Sequence, residues 1–165
     1  MSEPKKKTSP VVIILVALGA LLVVGPCCIG MVSAIAIPQF VGYIRRAKTT
    51  EATMNLRSIA QSEMQFCEAH GNWLVPAGPM PAAPGPAIKQ MADFSADPGF
   101  AQLGFSVGDP IYYSYAVEHD PSVTGGVLLV AHGDLDGDSF QSTFSIACGS
   151  ACHCAETPVI NQEFE

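Results

Sequence analysis

The chain has 165 residues and a mass of 17.3 kDa, with 48% hydrophobic residues, 14% charged residues and a net charge of −7. This length suits one small domain and excludes an elaborate enzyme. Most of the apolar excess comes from residues 11–37, where 22 of 27 residues are apolar. A polytopic membrane protein is also excluded, because no second run approaches the ~20 apolar residues that a membrane span needs.

The charges are as unevenly distributed as the apolar residues. Beyond Ser58 the chain has 13 acidic residues and a single basic residue, Lys89, which gives this part a formal charge of −12. A surface of that sign repels phosphate backbones. We therefore expect no nucleic-acid partner.

The N-terminal region reads as a membrane anchor. Residues 1–10 form a short basic tail with three lysines, and the uncharged run 11–37 follows it. As a helix, that run would be about 40 Å long, against a hydrocarbon core of about 30 Å. The pattern predicts a cytoplasmic tail over 1–10, a transmembrane helix over 11–37 and a single pass through the inner membrane. The rest of the chain would form a periplasmic or extracellular head.

The helical pattern continues after the apolar run. Between Gln39 and His70 there is no proline and one glycine, and apolar residues recur three and four positions apart. The resulting stripe contains one acidic member and consists of Ala52, Leu56, Ile59, Glu63, Phe66 and Cys67. Gly71 is a typical residue to end the helix. We predict one long helix whose second half, residues 38–70, is amphipathic and packs on the head.

The remaining chain divides into a loop-rich segment and a strand-rich segment. Residues 71–110 are rich in proline and glycine and predict an extended connection, in which Trp73 either pins the loop to the core or stacks on a ligand. Residues 111–165 contain strand patterns at 111–117, 126–132 and 140–147, followed by a cysteine-containing tail. The predicted fold class is α+β, with the long helix packed by a small antiparallel sheet of three to four strands.

A dense motif lies where the apolar run meets the amphipathic half. It reads Ile35-Ala36-Ile37-Pro38-Gln39-Phe40, then Tyr43, then Arg46-Ala47-Lys48 and Glu51-Ala52. This motif resembles the N-terminal helix of type IV pilins and pseudopilins. The resemblance implies a structural subunit of a type IV pilus or a type II secretion pseudopilus, with other pilin-like subunits as partners along the N-terminal helix.

The chain departs from that family near its N-terminus. Pilins carry a glutamate within the first few residues of the mature chain, whereas no acidic residue lies between Pro4 and Thr50 here. Pilin precursors are also cleaved between a glycine and a Phe or Met, whereas the corresponding position here, counted back from Pro38, falls at Val16-Ala17. These departures favour a minor or accessory subunit. The alternative is a membrane-anchored binding module that captures calcium or a basic partner and forms no filament.

Four cysteines fall in the expected head: Cys67, Cys148, Cys152 and Cys154. An even number of cysteines outside the cytoplasm predicts one or two disulfides, and two disulfides allow three pairings. The competing interpretation uses the last three cysteines with His153 as metal ligands, although their spacing matches no zinc signature.

Two further groups of residues carry side chains that can bind metals or take part in catalysis. Asp134, Asp136 and Asp138 alternate with other residues and are weak candidates for calcium ligands, although Ser145 stands where an EF-hand needs glutamate. The four histidines are scattered and accompany no catalytic motif. We therefore predict a protein that is not an enzyme and has no cofactor apart from possible calcium.

Overall fold

The computed structural model describes residues 9–84, 88–149 and 151–161, with the side chains at 21, 23–33, 35 and 38 excepted. The chain divides into two compact units, Met1–Tyr43 and Ile44–Glu165, which we describe separately. The predicted basic tail over 1–10 lies outside the described residues except for its last two positions.

The first unit is helical. Helix α1 spans Pro10–His70 and begins in this unit, where its apolar side chains are exposed from Val11 onwards. Within the described residues, no helix is both long enough and apolar enough to cross a membrane. The predicted transmembrane helix over 11–37 is therefore wrong, and so is the predicted single-pass anchor.

The second unit contains the rest of α1, and the predicted helix over 38–70 is confirmed. Its stripe faces the core, because Ala52, Leu56 and Ile59 are fully buried. The helix ends where glycine was expected. Gly71 adopts a φ of +76° and its N–H donates to the carbonyl of Cys67 at 2.7 Å, which closes the last turn.

An antiparallel sheet packs on that stripe. Within the described residues it has six strands: β1 Ala77–Met80, β2 Ser114–His119, β3 Val127–Gly133, β4 Ser142–Gly149, β5 His153–Cys154 and β6 Val159–Asn161. The order is β1-β2-β3-β4-β5, and β6 also pairs with β4. The α+β prediction of three to four strands is therefore wrong about the size of the sheet.

The additional strands carry weak sequence signals. β1 contains Pro79 and is followed by Pro81, so it lies at the sheet edge, where a missing N–H is tolerated. β5 and β6 have two and three residues, too few to show an alternating pattern. Each of these strands forms by backbone pairing with a longer strand, which is β2 for β1 and β4 for both β5 and β6.

The segment 71–110 is also more ordered than predicted. Besides β1 it contains a 3₁₀ turn at Phe94–Ala96 and a short helix, α2, at Pro98–Leu103. The Asp97 carboxylate caps α2 by accepting hydrogen bonds from the N–H groups of Gly99 and Phe100. Phe94 contacts Phe100 and Phe105 edge to face, so aromatic packing rather than periodicity orders this segment.

Candidate functional site

All four predicted disulfide cysteines are paired. Cys67 of α1 is bonded to Cys152, and Cys148 of β4 is bonded to Cys154 of β5. The prediction of disulfides is confirmed, and one of the three open pairings is selected. The alternative with metal-binding cysteines is wrong, because sulfurs in disulfides do not offer thiolate ligands. Disulfides of this kind indicate an oxidising compartment outside the cytoplasm.

Trp73 closes the core beside these disulfides. Its side chain is buried, and its indole N–H donates to the carbonyl of Gly149 at 3.2 Å. The indole therefore links the loop after α1 to the end of β4. This contact agrees with the interpretation in which Trp73 pins the loop to the core.

A cleft of about 520 Å³ opens at this end of the head. The Cys67–Cys152 disulfide, Trp73 and His119 contribute to its wall, together with residues of the loop before β3. Sequence reasoning missed this cleft, since its wall comes from four separate segments. As far as the structure describes it, the wall is mainly apolar and contains no carboxylate.

The three predicted calcium candidates come together in the loop between β3 and β4. One carboxylate oxygen from each of Asp134, Asp136 and Asp138 lies within 4.8 Å of the others. All three carboxylates already have partners within the chain, however. The Asp134 carboxylate accepts hydrogen bonds from the N–H groups of Gly137 and Ser139, and Asp138 accepts one from Phe140. Asp136 forms an ion pair with Arg45 at 3.2 Å. The loop geometry thus has an explanation within the chain.

Glu51 provides a polar link between α1 and the segment that precedes β2. Its carboxylate accepts a hydrogen bond from the N–H of Tyr112 at 2.7 Å and lies 3.7 Å from the Lys89 ammonium. Burial raises the pKa of Glu51, and the Tyr112 N–H and Lys89 partly oppose that rise. The ammonium groups of Lys48 and Lys89 also lie over the Tyr112 ring, at 4.7 and 5.1 Å.

Glu63 is the least expected polar residue of the core. It is fully buried, its Oε2 accepts a hydrogen bond from the N–H of Leu74 at 3.1 Å, and its Oε1 has no hydrogen-bond partner. Burial raises the pKa of Glu63 to about 7. The only signal in the sequence was its position as the acidic member of an otherwise apolar stripe.

The histidines remain apart in the described part of the chain. His132 Nδ1 lies 3.1 Å from the Thr143 hydroxyl oxygen on the neighbouring strand, and His70 Nδ1 lies 2.9 Å from the carbonyl of Phe66. His119 lies in the wall of the cleft, and His153 is exposed in β5. Each contact is explained by local structure.

Comparison of the chain with protein-family models, with curated proteins and with solved structures finds no match.

Proposed function

We propose that the chain is a non-enzymatic, pilin-like structural subunit with an extracytoplasmic head. It would be a minor or accessory component of a type IV pilus or a type II secretion pseudopilus. Its partners would be other pilin-like subunits, which pack along the first part of α1. The head would face the periplasm or the cell exterior.

The observation that carries this proposal is the exposed apolar start of α1. Consecutive residues Ile14, Leu15 and Val16 are 58%, 64% and 66% exposed, and Leu22 is 73% exposed. Successive residues of a helix point about 100° apart, so apolar groups occur on every side. A helix that is apolar all round requires an apolar environment. Equivalent helices of neighbouring subunits would supply that environment.

The motif and the head support the same conclusion. The Gln39-Phe40 pair, Tyr43 and the Arg46-to-Ala52 segment resemble the pilin helix at the junction with the head. Within the described residues, two disulfides hold the C-terminal part of the head. Disulfides persist in oxidising compartments outside the cytoplasm, which supports an extracytoplasmic location of the head.

Affinity purification of the full chain from detergent-solubilised cells after mild cross-linking tests this function. We expect pilin-like chains to co-purify with the wild type and to be lost from the Leu15→Lys/Leu18→Lys variant, because charges would be buried between helices. A Ser58→Lys variant, changed at an exposed position of α1 in the head, is the control and should retain them. Purification of the wild type alone, or equal recovery of partners with the charged variant, would contradict the proposal.

A further inference from the structure

A second cleft, of about 400 Å³, lies beside α1 in the head. One wall comes from α1, with Arg57, Gln61 and Met64, and the other comes from β4 and β5, with Ile146 and Cys154. Met64, Ile146 and Cys154 give the cleft apolar surface, and Arg57 adds a positive charge to its wall. A cleft of this volume and composition suits an apolar group that has a negative charge beside it.

Apolar side chains outside the second cleft extend its apolar surface. Met54 is 65% exposed and lies seven residues before Gln61, so both side chains point to the same side of α1. Ile160 of β6 is 43% exposed and is paired with Phe144, which faces the same side of the sheet as Ile146. Exposed apolar area of this kind beside a cleft is typical of a surface that contacts another protein.

The charge of Arg57 favours an acidic partner. Among the described residues Arg57 forms no ion pair, even though the head beyond Ser58 has a formal charge of −12. Glu156 is the only described residue of the cleft wall with a carboxylate. A guanidinium binds a carboxylate through two parallel hydrogen bonds, so an aspartate or glutamate of a partner fits Arg57.

The loop between β3 and β4 has the matching chemistry. Its Phe140 is 64% exposed, and Asp138, two residues earlier, is exposed as well. The Asp138 carboxylate accepts a hydrogen bond from the N–H of Phe140 at 2.8 Å. Asp134 accepts two more from the N–H groups of Gly137 and Ser139. An exposed aromatic group on a loop ordered in this way loses little conformational entropy when it binds.

The loop and the second cleft lie at different levels of the head. β4 begins at Ser142, two residues after Phe140, whereas the cleft lies beside Ile146. A strand rises about 3.3 Å per residue, so Ile146 lies about 13 Å along β4 from its start. Phe140 is exposed and does not fill the cleft of its own chain. A second copy of the chain is needed to bring the two surfaces together.

We propose that Phe140 of one copy of this chain docks in the second cleft of a neighbouring copy, where the Asp138 carboxylate pairs with Arg57. The contact joins two different surfaces, so it can repeat from copy to copy. It rests on the proposed function, because copies that are held together along the first part of α1 present their heads to each other at a high effective concentration. A small contact is then sufficient to fix how neighbouring heads meet.

Photo-cross-linking of the full chain in cells tests this contact. A benzophenone amino acid replaces Gln61 in the second cleft, and two differently tagged copies are expressed together. We expect adducts that contain both tags and that mass spectrometry maps to residues 134–141 of the other copy. Phe140→Ser should lower their yield about tenfold, because the group that fills the cleft is lost. Met91→Ser, at another residue that is 68% exposed, is the matched control and should leave the yield unchanged.

Charge variants test the ion pair separately. Arg57→Glu should lower the yield of these adducts, and its combination with Asp138→Lys should restore at least about half of it, because the two charges are exchanged. Glu156→Gln removes a carboxylate from the cleft wall and should not lower the yield. All these side chains are exposed, so the circular dichroism of each variant should match that of the wild type.

Three results would overturn the proposal. They are adducts that lack a second copy or map outside the loop, equal yields for Phe140→Ser and wild type, and no recovery after the charge exchange. Co-purification of pilin-like chains tests the proposed function independently. Retained co-purification without these adducts would refute the contact between heads alone, whereas loss of co-purification from the wild type would refute the proposed function.

Discussion

At the scale of single residues, Glu63 has the largest consequence for the behaviour of the head. A fully buried carboxyl with one unpartnered oxygen is far more stable when protonated, which explains the rise of its pKa from 4.5 to about 7. Below pH 4.5 the folded and unfolded chains both retain the proton. Between pH 4.5 and 7 the unfolded chain releases it and the folded chain retains it, so the free energy of unfolding decreases as pH rises.

This linkage gives a test of the burial of Glu63. Over that pH range the loss amounts to about 3 kcal/mol. In the Glu63→Gln variant this contribution disappears, since the amide does not titrate. We expect the free energy of unfolding of the variant, relative to wild type, to be higher at pH 8 than at pH 4 by about 3 kcal/mol in urea titrations.

A matched variant distinguishes burial from a general effect of charge. Glu68 is exposed on the next turn of α1, and Glu68→Gln should leave the shape of the pH profile unchanged. Parallel profiles for wild type and Glu63→Gln would show that the Glu63 carboxyl is solvated in the folded chain.

The acidic loop gives a second prediction at the residue scale. Asp134 is buried and accepts two backbone N–H groups, so Asp134→Ala leaves both without their acceptor. We expect a loss of about 1–3 kcal/mol in the free energy of unfolding. Asp138→Ala, at an exposed position with one acceptor bond, should cost less.

Calcium binding at this loop stays a prediction with a separate test. Thermal unfolding is measured with and without millimolar calcium chloride for wild type and Asp136→Asn. A calcium-dependent rise in Tm that the variant loses would support the site. An unchanged Tm of wild type would refute it.

At the scale of elements, the end of β3 depends on the absence of a side chain at Gly133. A Cβ there would overlap with the ring of Tyr113, which is fully buried and packs edge to face on Phe144. Gly133→Ala should therefore lower the free energy of unfolding by about 1–3 kcal/mol in urea titrations.

Gly149 provides the control for this substitution. It lies in the neighbouring strand β4, and a Cβ there would meet no atom within 4 Å. Gly149→Ala should change the free energy of unfolding by less than about 0.5 kcal/mol. Equal effects of the two substitutions would show that Tyr113 does not pack against β3 as described.

The elements also show what the sequence could and could not predict. The stripe from Ala52 to Cys67 repeats over four turns, so its buried face and the end of α1 at His70 follow from periodicity. β3 and β4 follow from apolar runs bounded by turn residues. β1, β5 and β6 depend on hydrogen bonds offered by distant strands, which local patterns do not contain.

The candidate sites also fall into those that the sequence could predict and those that it could not. The four cysteines of the head were predictable as disulfides from their number, but their pairing depends on where β5 meets β4. The cleft was not predictable, since Cys67, Trp73 and His119 are brought together only by the fold. The link from Glu51 to Tyr112 joins residues 61 positions apart and has no local signature.

At the scale of the whole molecule, the two units differ in how far their apolar side chains are buried. The unit Ile44–Glu165 buries its own stripe beneath the sheet and holds its C-terminal part with disulfides. The described apolar side chains of the unit Met1–Tyr43 are exposed, which leaves a large apolar area in contact with solvent. In the proposed function, assembly with other helices would cover this apolar area, and that assembly is the central claim.

Site-specific photo-cross-linking in cells tests that claim most directly. A benzophenone amino acid replaces Leu18, which is 52% exposed on α1, or Gln61, an exposed position of α1 in the head. We expect the probe at residue 18 to form adducts whose mass spectra map to the apolar helix of another pilin-like chain, and the probe at residue 61 to form few or none there. Adducts at residue 18 that never include such a helix would contradict the account.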